Sequence, residues 1–214
     1  NIFSLVGGLT IGFFSVIFIS FFLLKDSDIL ENSIFVFVNK NNEKRLKKSF
    51  ESIKDLLSRY FLGLLLQINI LLIIYSIVLF TFGIKNAFII AFLCSLLNLI
   101  PYIGPIIAAI LMIILSMTSN LDADFSTIIL PKTIYVMIGF IIGQLIDNFF
   151  SQPYIFSKSV KSHPLEIFII ILVGGTLFGP IGMIAAIPFY TSLKVILKEF
   201  LSNNRIVKSL TKDL

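Results

Sequence analysis

The chain has 214 residues, 57% of them hydrophobic and 14% charged, with one cysteine, one histidine and no tryptophan. Its mean hydropathy is +1.00, and several apolar runs reach the roughly 18 residues that cross a bilayer, which makes it an integral membrane protein. A single Cys and a single His build neither a zinc site nor an internal disulfide, and the chain has no Walker loop, dinucleotide fingerprint or nucleophile elbow; metal-centre, kinase and hydrolase readings start low.

The net charge of +5 is concentrated in "KNNEKRLKKSFESIKDLLSR" (40–59) and "KVILKEFLSNNRIVKSLTKDL" (194–214), both beside apolar spans. Retention on the cytoplasmic side explains that pattern better than nucleic-acid contact, so no nucleic-acid partner is expected.

In chain order, residues 1–24 lack a charged leader and outrun the apolar core of a signal peptide, so they read as an internal transmembrane helix of a longer protein. Residues 25–59 read as a cytoplasmic amphipathic helical segment, because Leu46, Phe50, Ile53, Leu57 and Tyr60 recur at three- and four-residue steps. That segment is expected on the membrane surface or against a partner subunit, with a solvated connector as the alternative. A full span follows from Tyr60 to Gly83, with Gln67 and Asn69 as its interior polar groups.

The block 87–117 carries Asn98, Pro101, Gly104 and Pro105 at its centre. The prolines remove donors and clash with the preceding turn, leaving two arms around a kinked tip. Arms of about 12 or 13 residues cover roughly 18 to 20 Å, short of the roughly 30 Å hydrocarbon core, so the block predicts a re-entrant hairpin. A span from about Ile128 to Phe150 holds Gln144, Asp147 and Asn148. The last block, 165–197, is split by "GGTLFGPIG", and Pro188 predicts a second break further on.

The expected fold class is all-α: a polytopic membrane protein with full transmembrane helices and two broken, re-entrant hairpins in inverted orientation. Its parts are 1–24, 25–59, 60–117 (a span and the first hairpin), 118–200 (a span and the second hairpin) and a cytoplasmic tail, 201–214. "GPIIAAI" at 104–110 and "GPIGMIAAI" at 179–187 suggest an internal repeat. With hairpins at both breaks only Lys85 and Lys132 face outside, and the two hairpins enter from opposite sides, the mark of an inverted repeat.

Non-helical backbone at membrane depth survives only where protein buries it or a watery cavity meets it, and transporters use it to bind cargo near the midplane. The tips "NLIPYIGP" and "GGTLFGPIG" are therefore expected to face each other. Asn98 and Tyr102 would offer side-chain hydrogen bonds beside Pro101 and Pro105, while Gly104, Gly174, Gly175, Gly179 and Gly182 would allow close backbone approach. The alternative for each glycine is helix packing.

Asp147 is the sharpest candidate, since a carboxylate in a span is usually kept for an ion or proton path. With Gln144 one turn earlier and Asn148 adjacent it would form a polar patch; the alternative is a cap at the cytoplasmic interface. His163, before Pro164, reads as a helix-start residue, with proton relay as its other reading. Cys94 reads as packing.

"NLIPYIGPIIAAI", "IDNFFSQPYIFSKSVKSHPLEIFIIILVGGTLFGPIGMIAAIPF" and the "LLKD" that closes the first span resemble the AI-2E family of bacterial transporters, the autoinducer-2 exporter or PerM-like family. The resemblance runs through nearly the whole chain. It implies a multi-pass inner-membrane protein, with two further transmembrane segments and a soluble helical stretch ahead of residue 1, and a homo-oligomer. Some members are reported to export autoinducer-2 and others to exchange sodium for protons.

The expected function is thus export of a small polar solute by alternating access. Sodium/proton antiport and a passive channel are the alternatives. An intramembrane enzyme is weakened because no nucleophile is paired with a base in the apolar blocks. No cofactor or metal is expected; the partners are a small solute or ion, the lipid bilayer and further copies of the chain.

Overall fold

The computed structural model describes residues 12, 14–22, 25–26, 40–119, 121, 123–152, 162–202 and 204–211, and their regular structure is helical throughout. Most of the expected first span, with Leu23 and Leu24 of the "LLKD" motif, and the loop 153–161 lie outside the described residues. The chain separates into two compact units, Asn1–Phe50 and Glu51–Leu214. In the first, residues 14–22 form α1, where Phe18 and Phe21 contact Phe22 and the Lys25 ammonium lies 5.9 Å from the centre of the Phe22 ring.

Helix α2 runs unbroken through Lys40–Thr81. The described part of the amphipathic segment, 40–59, lies within this helix. From Leu56 a buried stripe follows steps of three and four: Tyr60, Leu64, Gln67, Leu71, Tyr75 and Leu79. The other face, with Leu62, Leu66, Ile73, Ile77 and Phe80, is exposed, and an apolar helix with an apolar outer face belongs in lipid. Asn69 closes on its own helix, donating to the Leu65 carbonyl at 2.7 Å. Gly83 (φ 64°) and Asn86 (φ 57°) then turn the chain, as the "FGIKN" sequence leads one to expect.

The first broken block folds into a hairpin of α3 (Ala87–Leu97) and α4 (Ile103–Thr118). Its arms have 11 and 16 residues, or about 17 and 24 Å at 1.5 Å per residue, below the roughly 30 Å of a bilayer core. Cys94 lies against the Ala108 carbonyl, Sγ to O 3.7 Å, and at the mouth the Lys85 amide donates to Ser119 Oγ at 2.6 Å. The small residues Ala87, Ala91, Cys94 and Ala108 let the arms close onto Leu71, Tyr75 and Leu79 of α2, which bears out Cys94 as packing.

Helix α5 (Leu130–Ile146) is flanked by two wide π-helical turns, Phe125–Ile129 and Asp147–Ser151. It packs on α2 through small residues: Gly139 meets Val78, and Gly143 meets Tyr75 and Ile74. Tyr75 stacks on Phe140 and Phe82 on Tyr135. Asp124 starts this region, accepting from the Thr127 amide at 2.9 Å and the Thr127 hydroxyl at 2.8 Å.

Those bonds hold the Asp124 carboxyl below its ordinary range. A carboxyl depressed by folding stabilises the helix start above its unfolded value, and the effect is lost as pH falls through the folded one. Exchange of the Thr127 amide is therefore expected to speed up once pH drops below about 4, and Asp124→Asn should remove that pH dependence.

Helix α6 spans Pro164–Phe200 but is bent into two arms, 164–178 and 180–200, at Gly179 (φ 62°, ψ −150°). Only glycine adopts that backbone readily, so the break falls at one residue of "GGTLFGPIG". Ile171 and Ile187 share a cluster with Tyr60 and Leu64 of α2. The second break expected at Pro188 is absent, because the backbone stays helical through it. Proline there leaves the Ile184 carbonyl without its usual backbone donor, a loss that membrane helices tolerate; the Ser192 hydroxyl closes on its own helix, donating to the Pro188 carbonyl at 2.8 Å. A short α7, Arg205–Leu210, follows.

By length and composition three helices are able to cross a membrane, Asn42–Thr81, Phe125–Ser151 and Pro164–Phe200. The third does so only on paper as a single rod, since Gly179 folds it back on itself.

Candidate solute pathway

Three elements bring polar side chains into the apolar interior. On α5, Gln144 uses its amide nitrogen twice, donating to Tyr75 OH of α2 at 2.7 Å and to Asn98 Oδ1 at the first hairpin tip at 2.9 Å. Asn98, 3% exposed, donates in turn to the Cys94 carbonyl at 2.8 Å. An amide nitrogen has two protons, and here both are spent on buried partners from two different elements.

One turn further, Asp147 is 0% exposed. Its Oδ2 accepts from Gln67 Nε2 at 2.9 Å and Gln152 Nε2 at 3.1 Å, whereas Oδ1 accepts from nothing. In an α-helix a residue five places on is rotated by about 140°, off the face. The π turn, bonded from Gln152 N to the Asp147 carbonyl, returns Gln152 to Asp147, and such turns recur at functional sites. The Ser151 hydroxyl, in the same turn, is buried beside the Asp147 carboxyl. Among the described residues no basic side chain pairs with Asp147.

The candidate residues fall into distinct places. Asn98 and Gln144 share one hydrogen-bonded group with Tyr75 and Asp147 forms a second with Gln67 and Gln152, while Asn148 is exposed and accepts from Gln152 at 2.8 Å. Pro101 and Tyr102 shape the tip: the Pro101 carbonyl accepts from the Ile103 amide at 2.8 Å, and Tyr102 has φ 66°. Tyr102 meets Phe168 edge-on, ring centres 5.5 Å apart, and Leu99 packs against the Tyr60, Ile167, Ile171 and Ile187 cluster.

The first tip thus rests on an arm of the second hairpin, not on its tip, where Leu177, Phe178 and Ile181 are exposed. Gly104, with Pro105 after it, sits against the Leu97 backbone, Gly174 and Gly182 sit against each other, and Gly175 sits against Met183; close packing is what these positions do here. His163 caps α6, its Nδ1 accepting from the Leu165 amide at 3.2 Å, with Pro164 in the first turn.

Sequence reasoning passed over six contributors. Tyr75, Ser151 and Gln152 look like ordinary residues until the helices are paired, and Gln67 shows only as a polar interruption. Lys194 reads as part of a basic tail, yet it is 1% exposed inside the second hairpin. Glu166, one turn into that hairpin's first arm, is its ion partner.

The model of the AI-2E family transporter matches residues 1–202. The chain belongs to that family. It is 30% identical over 184 residues to YrrI of Bacillus subtilis (strain 168), named as a candidate transport protein, covering 86% of this chain and 50% of YrrI. YueF of the same organism, named likewise, is 27% identical over 207 residues, 97% of this chain and 53% of YueF. The AI-2 transport protein TqsA of Escherichia coli (strain K12) is 28% identical over 116 residues, 54% of this chain and 31% of TqsA. The chain spans about half the length of YrrI and YueF. An AI-2E family chain with helices long and apolar enough to cross a membrane is a multi-pass membrane protein.

Gln144→Leu tests whether the polar chain holds the first hairpin to α5. It leaves Asn98 Oδ1 and Tyr75 OH buried without their donor, and an orphaned buried polar group costs about 1 to 3 kcal/mol. Unfolding in detergent should show a loss of that size, and Gln144→Glu should not restore it.

Proposed function

We propose that this chain supplies the path of a secondary transporter in the bacterial cytoplasmic membrane, exporting a small polar solute of the autoinducer-2 kind by alternating access. The observation that carries the reading is a pair of buried hydrogen-bonded groups within apolar segments, Gln67 with Asp147 and, one turn earlier on α5, Gln144 with Tyr75 and Asn98. A polar residue kept only for local reasons closes on its own backbone, as Asn69 does. These residues instead span three elements and leave Asp147 Oδ1, with the Ser151 hydroxyl nearby, for a passing polar group.

The hairpins are re-entrant and inverted in this reading, and they move against α2 and α5 as scaffold. A further copy of the chain would cover part of the exposed apolar face. The sequence similarity to the AI-2 transport protein TqsA, 28% over 116 residues, supports the solute class.

A second reading, sodium/proton antiport, is favoured by one observation: the buried Asp147 has no basic partner among the described residues. A carboxylate out of water needs a compensating charge, and alternate loading with sodium or a proton would supply it.

The test is efflux of autoinducer-2 from loaded, sealed liposomes, with the same protein held in a voltage-clamped bilayer. Saturable efflux without unitary currents supports the carrier. Unitary currents far above carrier rates replace it with a passive channel.

A further inference from the structure

The second hairpin carries a charged cluster that the chain around Asp147 does not use. Lys194 is 1% exposed, and its neighbours on the same arm, Thr191 and Val195, are buried with it. Its Nζ donates to Glu166 Oε2 at 3.2 Å and to Ser162 Oγ at 3.0 Å, and lies 5.5 Å from the centre of the Tyr190 ring. The Tyr190 hydroxyl donates to the same Glu166 oxygen at 3.0 Å. Ser162 and Glu166 stand at the start of the first arm, Tyr190 and Lys194 on the second. All three hydrogen bonds therefore cross between arms, at the end of the hairpin away from Gly179.

Two packed helices share no backbone hydrogen bonds, so side chains alone decide whether the arms stay together. Nearer the tip the contacts are apolar or glycine on glycine, at Gly174 and Gly182. At the mouth they are ionic. A buried ion pair is a poor permanent fastener, since an apolar pair of similar volume often holds as well or better, while separating the charges in a dry site is costly. Water or a polar solute arriving at the mouth removes that cost by solvating the separated charges. Access is graded: the Glu166 side chain is 30% exposed and that of Lys194 2%, so the carboxylate side meets the solute first.

We infer that Glu166 and Lys194, with Tyr190 as a second donor, form a gate at the mouth of the second hairpin, closed when paired and open to polar solute when apart. The role in flux rests on the transport reading; the opening of the mouth does not.

Spin labels at Leu165 and Leu193, both exposed and on opposite arms, report the width of the mouth in the detergent-solubilised protein. The wild type should give one narrow distance distribution. Lys194→Met and Glu166→Gln should each shift it to longer distances, and the double variant should be no wider than either single one, because both break the same pair. Glu166→Gln keeps an acceptor for Tyr190 and carries the test if Lys194→Met does not fold. Unchanged distributions in the folded variants, or additive shifts in the double variant, overturn the gate. A shifted distribution in variants of a protein that moves no solute upholds the gate and removes the transport reading instead.

Discussion

Gly104→Ala is expected to dismantle the first hairpin. A Cβ at Gly104 would overlap the carbonyl oxygen of Leu97 and crowd the Asn98 Cα, and these are backbone atoms of the facing arm. A side-chain obstacle rotates away; a backbone obstacle moves only with its helix. Overpacking a core costs roughly 1 to 3 kcal/mol when side chains adjust, and here the arms themselves must separate, so a loss of about 3 kcal/mol or more is expected. Against a total stability of about 5 to 15 kcal/mol that is a large fraction.

Separation also withdraws Asn98 from Gln144, so the polar chain fails with the packing. Unfolding in detergent measures the effect. Ile106→Ala, on the lipid-facing side of the same arm, should change stability by no more than about 0.5 kcal/mol. Equal midpoints for Gly104→Ala and wild type would contradict the hairpin as described.

Asp147→Asn is expected to remove transport while leaving the fold. Asparagine keeps the shape of aspartate and one acceptor oxygen, so Gln67 and Gln152 retain a partner for at least one of their bonds. What disappears is the charge and the second acceptor, Oδ1, which no protein group uses. A charge-assisted hydrogen bond is worth about 1.5 to 3 kcal/mol, and at 1.4 kcal/mol per decade that is about ten- to a hundredfold in rate. Asp147→Leu, by contrast, should also destabilise, because it strands the Gln67 and Gln152 amides. A transport defect shared by both variants with a stability defect confined to Asp147→Leu separates pathway from scaffold.

Much of the fold was legible because the membrane makes it so. Twenty-residue apolar runs leave helices as the only economical backbone, and Pro101, Pro105 and the glycines of "GGTLFGPIG" mark where helices cannot continue. The exact break at Gly179 was not legible, since four glycines compete for it and only packing selects one. Pro188 misled for the opposite reason: its missing donor predicts a break, but the helix absorbs it. Asn98, Gln144 and Asp147 announced themselves as polar residues in apolar company.

Their partners did not. Gln67 is 80 residues away from Asp147 in sequence, and the π turn that returns Gln152 to Asp147 has no signature in residue spacing. Lys194 was hidden by its neighbourhood, a basic stretch whose other members fit the positive-inside pattern. Burial against Glu166 distinguishes it, and burial of a lysine is a property of the folded hairpin.

The most direct test of Asp147 as part of a transport path places the whole protein in sealed liposomes and records internal pH after an external sodium pulse, together with efflux of preloaded autoinducer-2, for wild type and Asp147→Asn. The account predicts a saturable flux in at least one of the two assays, reduced about ten- to a hundredfold in the variant. Wild-type flux carried undiminished by folded Asp147→Asn would contradict it.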